Sequence, residues 1–206
     1  VIAGPHSASY LARFGAEIVK LDPAVPMYDS WNTVMYGLSQ GRGKRSILAD
    51  GKSRHGIKVL EDLIKTVDVI VWNAPDSQIE RMGLDEESLR KLNPDVLFCK
   101  LDCYSGVRRG VRTDYIGYDD LVQAATGIML RFGGAMDRPE EHAHVGTIDV
   151  MCGFGGALGV AAALYQKYRH GRIGRGRTSL AANSGLLQIP FCYDYHGRGL
   201  FNEPTG

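Results

Sequence analysis

Three short apolar runs, each closing on a polar residue, recur along the first half of the chain: residues 16–22 (AEIVKLD), 67–73 (VDVIVWN) and 95–102 (DVLFCKLD). Each has strand length and β-branched residues, and the first is bounded by a proline. Helical patterns lie around them. Residues 55–67 place Ile57, Leu60, Leu63 and Ile64 at helical spacing. Residues 85–93 begin with acids and end with bases, as the helix dipole favours. Residues 4–15 suit a helix opened by Pro5 and stopped by Gly15. This alternation predicts an α/β fold, a Rossmann-like parallel sheet flanked by helices.

The second half reads differently. Residues 118–130 and 150–168 predict helices joined by a polar loop over 131–144. Residues 169–187 turn through Gly171, Gly174 and Gly176, then predict a short strand and a further helix. There is no internal repeat. With 206 residues, the chain suffices for one well-buried domain, and 1–206 reads as a single unit. It has no initiating Met, and Val1-Ile2 resembles the end of a strand already under way, so a fragment of a longer protein is expected.

A net charge of +1 creates no long-range field favouring nucleic acid or anionic lipid. No uninterrupted run reaches the roughly 18 apolar residues of a membrane span, and no signal peptide opens the chain. Of the four cysteines, only Cys99 and Cys103 are close, and no second pair completes a metal site. Reduced thiols, a cytoplasmic location and no bound metal are the expectations.

Asp22 ends a strand as a ribose-binding acid would, yet the turn before that strand lacks G-x-G-x-x-G. No G-x-x-x-x-G-K-[ST] occurs either. Arg42, Lys44, Arg45 and Lys52 crowd a glycine-containing stretch, which reads as a solvated basic turn or as a phosphate cradle. Asn73 follows a buried strand, where open α/β sheets bind ligands and where asparagine also commonly ends strands. Asp149 precedes a run containing Gly153, Gly155, Gly156 and Gly159. It could cap that helix, or be held ionised there as a nucleophile toward an activated acyl group. The glycines could admit a bulky ligand or a tightly packed helix.

In order, "AGP…LARFGAEIVKLD", "GRGKRSILAD", "VDVIVWNAPDSQIERMGLDEESLRKLNPDVLF", "YDDLVQAATG" and "GTIDVMCGFGGALGVAAALYQKYRHGRIGRG" resemble the class III CoA-transferases, which include formyl-CoA and carnitine CoA-transferases. The resemblance runs from Ala3 to about Leu180. It implies a catalytic aspartate at Asp149 and coenzyme A contacts at Lys52, at Asn73 and Arg81 of an N-x7-R segment, and at Tyr118. Three family contacts are replaced, by Ile2, Pro23 and Ile116, and Arg42 and Lys44 are the nearest basic residues to compensate.

The implied reaction is transfer of CoA from an acyl-CoA to a small carboxylic acid through an aspartyl intermediate. Related CoA-ester racemases pair the aspartate with a histidine, and Tyr118 stands at that position here. Residues 193–206 resemble a subgroup that attaches CoA to dimethylsulfoniopropionate and then cleaves it. Members of the family are longer and form interlocked dimers, so a homodimer or tandem-domain partner is implied. A CoA-ester racemase, or a non-catalytic CoA-binding or structural module, is the alternative. Asp149 is expected near the start of a helix beginning about Val150, at the carboxyl edge of the sheet. Lys52, Asn73 and Arg81 are expected to converge on one face.

Overall fold

The computed structural model describes residues 2–26, 29–106, 108–142 and 146–189, with the backbone of 194–195 and 198–199. The chain alternates α1 (Ala3–Arg13), β1 (Val19–Pro23), α2 (Ser30–Gln40), β2 (Arg45–Ala49), α3 (Arg54–Ile64) and β3 (Val69–Trp72). Helices α4 (Asp76–Arg81) and α5 (Glu86–Leu92) lead to β4 (Leu97–Asp102) and α6 (Asp119–Thr126). A π-helical turn, Met129–Gly133, precedes α7 (Thr147–His170), β5 (Arg175–Ser179) and α8 (Leu180–Leu187). A two-residue antiparallel pair, β6 (Asp194–Tyr195) with β7 (Arg198–Gly199), closes the described chain. The tail compared above falls largely outside the described residues, as does Cys192.

Strands β1 to β5 are all parallel, as the alternation predicts, but they pair in two pieces, β1-β2 and β3-β4-β5. Leu21 of β1 packs into the same apolar cluster as Ile70 and Trp72 of β3. Strand β4 is central and buried on both faces. Cys99 and Leu101 face α1 and α7, in a cluster with Val122, Ile148, Cys152 and Val160. Phe98 faces α3, α4 and α5, where Leu60, Ile64, Ile79 and Leu89 gather. Such two-sided burial explains a continuous apolar run in place of alternation.

Local signals set the helix ends. The Ser53 hydroxyl accepts the Gly56 N–H at 3.0 Å to open α3, and the Asp85 carboxylate accepts the Ser88 N–H at 3.0 Å to open α5. Gly127, at φ 81°, stops α6 at Thr126, four residues short of the predicted end.

Two elements lie outside those read from the sequence above. Strand β2 sits inside the basic stretch, where its residues are exposed or only half-buried. Helix α2 buries none of its residues and presents Trp31, Val34, Met35 and Leu38 to solvent.

Helix α7 is long and apolar enough, by length and composition alone, to cross a membrane, against the expectation that no stretch is. Its apolarity comes partly from glycine and alanine, and one face packs on α1, β4 and β5. The glycines serve that packing. A Cβ on Gly153 would lie 2.8 Å from the His6 Cβ and 3.1 Å from the Ala3 carbonyl oxygen, and one on Gly156 would lie 3.0 Å from Leu101. Gly155 meets Thr178 and Asn183, and Gly159 meets Gly176. All four face protein, not open space for a ligand.

Candidate active site

Helix α7 runs back to β5 through Gly171–Gly174, so its first turn lies at the carboxyl edge of β4 and β5. Gly146 precedes it in the left-handed region, at φ 69°, and supplies no capping side chain. The helix begins at Thr147, and Asp149 is its third residue, not its cap. The cap comes from another element. The Asp149 backbone N–H donates to Asp119 Oδ1 at 2.7 Å, satisfying an amide that the helix itself leaves open. Asp119, first residue of α6, is 7% exposed.

Gln123, one turn further along α6, is fully buried. Its amide nitrogen donates to Asp119 Oδ2 and, at 3.3 Å, to the His142 carbonyl. Its amide oxygen accepts the His142 N–H at 2.8 Å. Neither Asp119 nor Gln123 is singled out by the sequence reading, which matches only Tyr118 in that segment. Their i, i+4 spacing at a helix start is the available signal.

The Asp149 carboxyl is pushed up to about 6 by burial, with the Asp119 carboxylate second and Asp120 adding to it. The group is still largely ionised at neutral pH, but its carboxyl lies above the ordinary aspartate value, against the direction in which a helix terminus acts. Ile2 packs against the residue just before α7, since its Cδ1 would lie 2.8 Å from a Cβ on Gly146. An apolar side chain thus packs beside the start of α7 where the family resemblance implies glutamine. Cys103 donates its S–H to the Gly117 carbonyl at 2.8 Å, and burial pushes its thiol up to about 11. Burial also pushes the Cys152 thiol well up, with Asp149 adding to the effect. Both are thiols, not thiolates, at neutral pH.

The other candidates lie along the same edge. Lys52 is exposed in the turn after β2, and Asn73 is exposed directly after β3. Arg81 ends α4 and donates through Nε to the Ser77 carbonyl at 3.0 Å. A Cβ on Gly51 would lie 3.2 Å from the Met82 side chain, so the Lys52 turn abuts the end of the Arg81 helix. Asn73 stands against Gly4, whose Cβ would lie 3.0 Å from it. The start of α1 is therefore a spacer: Gly4 touches Asn73, while Ala3 and Ile2 reach Gly153 and Gly146 of the Asp149 segment.

Tyr118 is exposed, immediately before α6. Lys44 differs from the rest. It donates to the Pro5 and Gln40 carbonyls, and burial pushes its ammonium down to about 8. Its charge is spent tying α1 to the end of α2, which leaves Arg42 as the exposed base beside it. Pro23 and Ile116 are exposed.

On the other face of β4 and β5, a cleft of about 200 Å³ is lined by Asp76, Glu80, Lys100 and Arg177 among others. Its cations are engaged by neighbouring carboxylates. Lys100 pairs with Asp76 and, at 3.2 Å, with Asp102, and Arg177 pairs with Asp76 at 3.4 Å. Among the described residues, no group of His, Cys, Asp and Glu side chains gathers to hold a metal ion.

The chain can now be set beside known proteins. The model of the family described as CoA-transferase family III matches residues 1–206. The chain is 53% identical over all 206 residues to the CoA-transferase/lyase DddD of Marinomonas sp. (strain MWYL1), and covers 24% of that protein. It is 32% identical over 185 residues to the succinate–glutarate CoA-transferase of Agrobacterium fabrum, covering 83% of this chain and 46% of the relative. The crystal structure of a CAIB/BAIF family protein from Brucella suis superposes with a TM-score of 0.80 at 25% identity, covering 93% of this chain and 53% of that one. The chain thus spans half or less of the curated relatives compared here.

Proposed function

The chain belongs to CoA-transferase family III, and on that premise we propose that it carries the nucleophile and part of the CoA-binding edge of an enzyme moving CoA from an acyl-CoA to a small carboxylic acid. One observation carries this reading. Asp149 stands in the first turn of a helix at the carboxyl edge of a parallel sheet, its backbone held by Asp119 and its carboxyl at about 6. Such a carboxylate is ionised at neutral pH, yet more basic and less hydrated than a surface aspartate. Both properties favour attack on a thioester.

In the proposed reaction, a carboxylate oxygen of Asp149 attacks the thioester carbonyl, the C–S bond breaks, and CoA leaves as thiolate. The product is a mixed anhydride between Asp149 and the donor acyl group. The thiolate then attacks the Asp149 acyl carbon, releasing the donor acid and leaving an aspartyl-CoA thioester. The acceptor carboxylate attacks that thioester to form a new anhydride, and returning thiolate takes the acceptor acyl group and frees Asp149. The N-terminal end of α7 would steady the charge on the reacting oxygens. Lys52, Asn73 and Arg81, exposed along the edge, would hold the CoA phosphates and pantetheine. Lys44 is assigned to the α1–α2 tie instead. The resemblance of residues 193–206 to a subgroup acting on dimethylsulfoniopropionate makes that compound the first acceptor to test, and the 53% identity to a CoA-transferase/lyase supports the choice of a transferase assay.

The test is chemical trapping. Full-chain protein incubated with acyl-CoA and hydroxylamine should carry a hydroxamate on Asp149, read as a mass shift of its peptide. Unmodified Asp149 across a panel of acyl-CoA donors, with CoA still bound in a calorimetric titration, would move the chain to the CoA-binding module reading.

A further inference from the structure

We propose that Gln123 is a positioning residue for Asp149, its buried amide locking both the Asp119 carboxylate beneath the nucleophile and the backbone of His142 in the segment that leads into α7. The inference rests on the reading of Asp149 as nucleophile. Gln123 is fully buried, and both polar atoms of its side chain are used.

The geometry is directional. The amide nitrogen of Gln123 takes Asp119 Oδ2, which leaves Oδ1 turned to the Asp149 N–H. Its oxygen takes the His142 N–H, and the His142 carbonyl also accepts the Thr147 hydroxyl at 3.2 Å. One amide therefore joins the polar loop, α6 and the first turn of α7. A carboxylate in the place of Gln123 could not donate to Asp119. An apolar chain there could satisfy neither Asp119 nor His142, and buried polar groups left without partners force local rearrangement.

Among the described side chains, the titratable groups that act on Asp149 or feel it are Asp119 and Asp120 from α6, Cys103 after β4 and Cys152 on α7. The π-helical turn at Met129–Gly133 and the Gly133–Gly134 backbone, against which residues 138–140 pack, make the loop compact in its own right. Gln123 is the buried side chain that fastens that loop to α6 through His142.

Two variants of the full chain test this, Gln123→Met, which keeps the length of the side chain, and Gln123→Glu, which keeps one acceptor but sets a second carboxylate against Asp119. Amide hydrogen exchange at Asp149 and His142, with Val160 in mid-α7 as the folding control, is measured beside steady-state kinetics. In either folded variant the Asp149 and His142 amides should exchange at least about tenfold faster with Val160 unchanged. The kcat should fall about 10- to 100-fold while the KM for acyl-CoA stays within about threefold. Protected amides in both variants would overturn the clamp, and faster exchange with unchanged kcat would reduce it to a structural tie and overturn the positioning role. If instead the wild-type chain forms no Asp149 hydroxamate, the functional reading fails, and the exchange data still decide whether Gln123 holds the start of α7.

Discussion

The Asp119 carboxylate caps α7 from a different helix, accepting the Asp149 N–H at 2.7 Å across 30 residues of sequence. Two acids are thereby placed side by side at a helix start. The backbone contact favours the position, while the like charge and the burial act against ionisation of Asp149. Position and reactivity are coupled through one residue.

The pH dependence follows directly. With its carboxyl at about 6, Asp149 gains its nucleophilic form as pH rises through that value. Transfer should fall about tenfold per pH unit well below 6 and level off above about 7. Asp119→Asn removes the neighbouring charge but keeps an acceptor oxygen, so the midpoint should move to lower pH. A kcat profile unchanged between pH 5 and 7 in wild type, or a midpoint unmoved by Asp119→Asn, counts against this coupling.

The same shift has a cost in stability. The folded value near 6 lies above the ordinary aspartate value of 3.8, so the folded chain binds this proton more tightly than the unfolded chain. Stability from the group is present below about pH 4 and is lost as pH rises through about 6. Asp149→Asn should therefore be more stable than wild type by about 1–3 kcal/mol at pH 7.5, with little difference at pH 4. It should also lower kcat by about 10³-fold or more. Denaturant melts at the two pH values test the first statement, and turnover tests the second.

Lys44 and Lys52 should separate. Lys44→Met abandons two backbone carbonyls and should cost about 1–2 kcal/mol of stability, with CoA affinity retained. Lys52→Met alters an exposed side chain and should leave the melting temperature in place while weakening CoA about 5- to 10-fold. Melting curves and calorimetric titration of each variant with CoA decide. Weakened CoA in a stable Lys44→Met protein would return Lys44 to the ligand.

Gly146→Ala should be destabilising for two separable reasons. The left-handed backbone at φ 69° costs a non-glycine residue about 1–2 kcal/mol, and the added Cβ would sit 2.8 Å from Ile2 Cδ1. Combining it with Ile2→Ala should relieve the contact but not the backbone strain. A double-mutant cycle measures this, and strict additivity would show that Ile2 and Gly146 do not meet.

The alternation of short β-branched runs with helical patterns is a local property, so the chain alone announces a parallel α/β fold and the places of β1, β3, β4, α1, α3 and α5. An acid ahead of a glycine–alanine helix is equally visible, and it marks Asp149. Strand β2 escapes because its residues lie exposed or half-buried and its apolar residues Ile47, Leu48 and Ala49 run consecutively without polar residues between them. Helix α2 carries Trp31, Val34, Met35 and Leu38 at helical spacing, so it is legible in the sequence although absent from the reading above. The structure adds that this stripe stays largely exposed in the described chain. Whether the α7 glycines admit a ligand or another element is undecidable from spacing, and His6, Leu101, Thr178 and Gly176 settle it by occupying the space. The properties of Asp149 belong to tertiary structure altogether. Its capping partner lies 30 residues upstream, Ile2 from the start of the chain reaches Gly146 beside it, and Lys44 is bonded to carbonyls of α1 and α2. Proximity between residues distant in sequence sets a charge's environment, and no local pattern encodes that proximity.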